Sequence, residues 1–195
     1  CEGQFLDLRF EGRLDVSTDM YMDMIGHKTA ALMSCAMQMG SLLGSDDPDL
    51  VTLLAEYGRR LGLAFQLRDD LLGIWATTHE LGKQQAGDLQ RKKITLPVIC
   101  AMERATDADQ ERLARIYADR RPATGQQIAD VLAILERTSA RQAATRALTE
   151  QVDAARQVLD TAARRVFSPA SSGATQSRGA YHHLAAMLDG IAHST

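Results

Sequence analysis

Apolar side chains recur every three or four residues along nearly the whole chain, and no stretch alternates apolar and polar residues as a half-buried strand does. With only 4 prolines in 195 residues to interrupt it, this pattern restricts the chain to an all-α fold. Ser17 is a predicted N-cap, and Tyr21, Ile25, Thr29, Leu32, Ala36, Met39 and Leu43 form an expected buried stripe that Gly44 stops. Asp47 and Pro48 open a second helix, carried by Leu50, Leu54, Tyr57, Leu61, Phe65, Arg68 and Leu72 to about Trp75. Pro97 opens a helix to about Arg104, and further helices are predicted near 107–118, 124–138, 140–165 and 180–192. The opening residues 1–17 read as a lead-in, and the Ser/Gly-rich 168–179 as a flexible loop.

Length and 45% hydrophobic content suit a single all-α domain over 1–195. No window is apolar for long enough to span a membrane. A net charge of -3 makes no electrostatic case for nucleic acid. The three cysteines have neither metal-ligand nor disulfide spacing, so a reducing compartment, the cytoplasm, is the expected location. Cys1 in place of an initiator Met reads as a chain truncated upstream. Met20, Met22, Met24, Met33, Met37 and Met39 read first as core, with cavity lining as the alternative. The adjacent His182 and His183 point about 100° apart on a helix, a poor arrangement for sharing a metal.

The second helix carries an anomaly in "FQLRDDLLGIW", residues 65–75. Gln66 lies one turn before Asp69 and Asp70, so an amide and two carboxylates share roughly one face of an otherwise apolar helix. Adjacent carboxylates near the negative end of a helix dipole repel each other, and desolvation adds to the cost unless cations compensate. Mg²⁺ is suited to that task, because it takes few carboxylate oxygens and commonly bridges to substrate phosphates. Lys83, Arg91, Lys92 and Lys93 follow within a short reach, a combination that suggests metal and diphosphate together. The plainer reading pairs Asp69 and Asp70 with Arg59, Arg60 or Arg68 on a solvated face.

The stretch "LGLAFQLRDDLLGIW…LGK…GDLQRKKITLP" resembles the second aspartate-rich region of the trans-isoprenyl diphosphate synthases, the farnesyl and geranylgeranyl diphosphate synthase family. "GQFLDL" and "YMDMIGHKTAAL" resemble two earlier segments of that family, in the same order. The resemblance implies an all-α bundle around a deep central cavity, homodimeric or heteromeric. It also implies Mg²⁺-dependent ionisation of an allylic diphosphate, followed by attack of isopentenyl diphosphate. Residue by residue, it makes Asp69 a direct metal ligand supported by Asp70, with Gln66 facing the diphosphate or the reacting cation. Lys28, with Thr29 beside it, Lys83 and Lys93 would contact diphosphate; Gln4 and Asp7 would line the cavity and metal site. Lys92 is close enough to Lys93 in sequence to compete for its role.

The sequence departs from the family pattern where a third aspartate is usual one turn after the first, a position held here by Gly73. Gly73→Asp is the test of that departure: tighter metal dependence would mean that the missing third carboxylate is limiting, and no effect that this position does not face the metal. Nothing in the chain resembles the family's first aspartate-rich motif, and Asp46 with Asp47 reads as a helix cap, so the expectation is the C-terminal part of a prenyl synthase bundle whose N-terminal helices are absent. Three functions fit these expectations. They are a chain-elongating prenyltransferase, a terpene cyclase on the same fold, and a non-catalytic subunit of a heteromeric synthase.

Overall fold

The computed structural model describes residues 1–76, 86–167 and 174–192. The regular secondary structure among the described residues is helical, with no strand among them. In chain order the helices are α1 (Glu2–Phe10), α2 (Thr18–Ile25), α3 (Ala31–Gly44), α4 (Pro48–Trp75), α5 (Leu96–Arg104), α6 (Asp107–Ala118), α7 (Gly125–Arg137), α8 (Ala140–Val166) and α9 (Ala174–Ala192). The chain forms two compact units, Cys1–Met24 with Leu67–Ala147, and Ile25–Gln66 with Leu148–Ser194.

Several helix starts follow directly from side-chain caps. Ser17 Oγ accepts the Met20 N–H at 3.2 Å, and Asp47 Oδ1 accepts the Asp49 N–H at 3.1 Å. Thr124 and Gln127 form a reciprocal capping box at α7. Two boundaries differ from the sequence expectation. The lead-in contains helix α1, and α9 begins at Ala174, six residues before the predicted start, while 168–173 lie outside the described residues.

The larger difference is on α3. A π-helical turn, Gly26–Ala30, joins α2 to α3 and inserts one extra residue into the helical repeat. Tyr21 and Ile25 are buried as expected, but beyond the turn the inward positions become Ala30, Met33, Ser34, Met37 and Ser41. The predicted stripe is thereby displaced by one residue, so Leu32 stands 75% exposed and Leu43 91%. The methionines divide accordingly: Met24 is buried, and Met39 is exposed.

In the second unit the inward face of α3 meets small residues of α4. Ser34 Oγ donates to the Ala55 carbonyl at 2.8 Å. A Cβ on Gly58 would lie 2.6 Å from the Met33 carbonyl oxygen, and one on Gly62 2.6 Å from Ala30 Cα. These are backbone atoms, which have little freedom to retreat. Gly62→Ala, which in an open helix would add up to about 1 kcal/mol of stability, is therefore expected to cost about 1–3 kcal/mol. Urea unfolding of the purified variant measures the sign.

The same unit buries Tyr57 completely, with its hydroxyl donating to the Leu184 carbonyl at 2.7 Å. Burial pushes this phenol up to about 12. The folded value lies above the unfolded one, so the associated stability is complete below about pH 10 and is lost as pH rises through about 12. Thermal melts across that window should show falling stability, with tyrosinate absorbance appearing together with unfolding.

Candidate functional site

Between Leu61 and Ile74, α4 is buried around most of its circumference, which explains its continuous apolar sequence. The two aspartates separate on this background. Asp70 is 0% exposed, whereas Asp69, about 100° around the helix, is exposed and has no hydrogen bond or ion pair among the described residues. Two of the three arginine partners of the plainer reading are engaged elsewhere, Arg59 and Arg60 both pairing with Glu56 at 2.7 and 2.6 Å, and the buried Nε of Arg68 has no hydrogen-bond partner among the described residues.

In the first unit, donors from three segments converge on the Asp70 carboxylate. The Tyr21 hydroxyl of α2 donates to Oδ2 in a short hydrogen bond, Lys93 Nζ lies 3.1 Å from Oδ1, and the Leu96 N–H donates to Oδ2 at 3.2 Å. The last contact places a carboxylate at the N-terminus of α5, where the helix dipole and the unpaired first N–H groups favour negative charge. Burial pushes the Asp70 carboxyl up, against the opposing pull of Lys93, the Tyr21 hydroxyl and the Leu96 N–H. Burial likewise opposes the Lys93 charge, but Asp70 and Asp88 outweigh it and hold the ammonium above the ordinary lysine value. Tyr21 is held well above the usual phenol value, first by burial and then by Asp70, Asp7 and Asp69, so it remains a donor.

The segment after the undescribed 77–85 supplies the remaining groups. A single helical turn, Gly87–Gln90, carries the buried Asp88, whose Oδ1 lies 2.6 Å from the Arg91 guanidinium and whose Oδ2 lies 3.6 Å from Lys93 Nζ. Lys92 then adopts a left-handed backbone, φ 54°, at a cost on the order of 1 kcal/mol. Its Nζ donates to the Asp119 carbonyl at 2.6 Å, which offsets part of that cost. The reversal sends Lys92 toward Asp119 and Lys93 toward Asp70, so two lysines that compete in sequence are separated in space.

On α1, Gln4 is exposed and Asp7 half-buried, near enough to Tyr21 to raise its phenol. In the second unit, Lys28 and Thr29 are half-buried on the π-turn, and Thr29 Oγ1 donates to Oε1 of the buried Gln66 at 3.0 Å. Local π-turns of this kind are frequent at functional sites. Lys83 lies outside the described residues. Tyr21 and Asp88 were not among the residues singled out by sequence. Tyr21 was hidden as one member of an apolar stripe, and Asp88 was one acid in a charged loop.

The polyprenyl synthetase family model matches residues 1–135. A short chain isoprenyl diphosphate synthase of Methanothermobacter thermautotrophicus is 39% identical over 160 residues, covering 82% of this chain and 48% of that protein. A geranylgeranyl diphosphate synthase of Mycobacterium tuberculosis is 37% identical over 164 residues, covering 84% of this chain and 47% of that protein. The crystal structure of geranylgeranyl pyrophosphate synthetase from Pyrococcus horikoshii superposes with a TM-score of 0.83 at 27% identity, over 99% of this chain and 54% of that one. The chain thus spans about half the length of these relatives, and its helical fold is theirs. It belongs to the polyprenyl synthetase family.

Proposed function

We propose that the chain serves a Mg²⁺-dependent prenyltransferase, condensing an allylic diphosphate with isopentenyl diphosphate to a longer isoprenyl diphosphate. The observation that carries this reading is the division of labour in the aspartate pair. Asp70 is fixed by Tyr21, Lys93 and the α5 N-terminus, and this leaves Asp69 presented as an exposed carboxylate. No group of three or more His, Cys, Asp or Glu forms a metal cage among the described residues. Mg²⁺ fits nonetheless, because it is commonly held by one or two carboxylates, waters and substrate phosphates. Asp69 would hold it directly and Asp70 would support it. When bound, the metal neutralises charge developing on the departing diphosphate.

The chain's own residues supply the rest of this reading. Lys28 and Lys93 meet the diphosphate, favouring the state in which its negative charge is greatest. Gln66, oriented by Thr29, faces the diphosphate or the reacting cation. Asp7 contributes to the metal side, and Gln4 to the cavity lining. Names of similar proteins, short chain isoprenyl and geranylgeranyl diphosphate synthases, support the reaction class. No helix among the described residues is long and apolar enough to cross a membrane.

Product analysis tests the reading. The full-length gene product is incubated with Mg²⁺ and labelled geranyl or farnesyl diphosphate, with and without isopentenyl diphosphate. Longer diphosphates that form only when isopentenyl diphosphate is present are expected; hydrocarbons or alcohols without it would replace this reading with cyclisation.

A further inference from the structure

Gly73 is the third-last residue of α4 (Pro48–Trp75), inside its last helical turn, where a glycine still costs up to about 1 kcal/mol relative to alanine. A side chain there has no room. A Cβ on residue 73 would lie 2.2 Å from Asp88 Oδ2 and 2.6 Å from its Cγ. The carboxylate that blocks it has little freedom to move aside. Asp88 is buried, its side chain is short, and its two oxygens are engaged by Arg91 at 2.6 Å and by Lys93 at 3.6 Å. Lys93 in turn bridges from Asp88 to Asp70.

We propose that Gly73 is a seat for the Asp88 carboxylate, and that Asp88, admitted by the missing side chain, is the positioning residue that aims Lys93 at the Asp70 segment. A carboxylate fifteen positions downstream thus stands where a side chain from residue 73 would begin. Of the two outcomes open for Gly73→Asp, the geometry favours no gain in metal dependence, because the new side chain would meet Asp88 before it reached any ligand. The seat itself is independent of the reaction; the consequence for diphosphate binding rests on the role given to Lys93 under the proposed function.

The test is a double-mutant cycle with two readouts that need no turnover. Gly73→Ala is expected to lower Tm by about 5 °C, because the crowded carboxylate must leave its partners. In an Asp88→Gly background the same Gly73→Ala change is expected to be neutral or to raise Tm, as in an ordinary helix. The second readout is amine labelling at Lys93, quantified by peptide mass spectrometry at fixed pH. Gly73→Ala and Asp88→Asn should each increase it several-fold, and the relocated carboxylate of Gly73→Asp/Asp88→Gly should bring it back toward the native level. A Tm that rises on Gly73→Ala in the native background would overturn the seat. Labelling that is unchanged in Asp88→Asn would overturn the positioning role. If native protein fails to bind inorganic pyrophosphate with Mg²⁺, the proposed function fails, while both of these readouts still decide the inference.

Discussion

Asp70→Ala is expected to destabilise the protein by about 3–5 kcal/mol, the cost of removing one partner from a buried ion pair. The size follows from what the substitution leaves behind. Lys93 would lose its nearest counter-charge, the Tyr21 hydroxyl its buried acceptor, and the Leu96 N–H the cap at the start of α5. The hydroxyl and the N–H would each be a polar group out of water without that acceptor, and Lys93 would keep only the longer contact to Asp88 at 3.6 Å. Asp70→Asn keeps an acceptor oxygen for the hydroxyl or the N–H while removing the charge, so its loss should be smaller, and the difference between the two variants separates geometry from electrostatics. Urea unfolding with circular dichroism is the measurement, with a Tm drop of roughly 10 °C for the alanine variant. A native-like Asp70→Ala would mean that the convergence on this carboxylate contributes little to folding.

Asp69→Ala is expected to do the reverse. The side chain is exposed and has no hydrogen bond or ion pair among the described residues, so the fold should change by no more than about 0.5 kcal/mol. Turnover of the full-length gene product should nevertheless fall on the order of 10²–10³-fold, the typical effect of losing one fixed electrostatic stabiliser of the departing group. Steady-state rates at saturating Mg²⁺ and substrate, set beside thermal melts of the same preparation, make the contrast. Neighbouring aspartates with opposite phenotypes, one structural and one catalytic, are a demanding outcome. A variant that lost stability and kept its rate would invert the assignment.

Much of the helical order was legible because caps and periodicity are local. The Asp47–Pro48 start and the Thr124 cap need only a few neighbouring residues to act. The π-turn at Gly26–Ala30 has no such signature in composition, and by adding one residue it moved the buried face of α3 from Leu32, Ala36 and Met39 to Met33, Met37 and Ser41. Helix α1 carries no periodic signal in the sequence, because Phe5, Leu6, Leu8 and Phe10 do not repeat with one clear face.

At the site, Asp69 and Asp70 stood out as charge in an apolar helix, but which of them turns inward depends on where the packing lies. Their partners were harder to foresee. Tyr21 and Asp70 are 49 residues apart, and nothing in a stripe of apolar residues marks one phenol as an anchor. Lys92 and Lys93 were separable only through the left-handed backbone at Lys92. The glycine at 73 was visible as a departure, and its physical reason, the Asp88 carboxylate lying against it, required coordinates.

The central claim is that Asp69 presents a metal–diphosphate site on a segment fixed by Asp70. Calorimetric titration of inorganic pyrophosphate into the native protein and into Asp69→Asn, with and without Mg²⁺, tests it most directly. Binding that requires Mg²⁺ and weakens at least about tenfold in Asp69→Asn, a loss of about 1.4 kcal/mol, is the predicted result. Equal affinity in the two proteins, or binding indifferent to Mg²⁺, would contradict it.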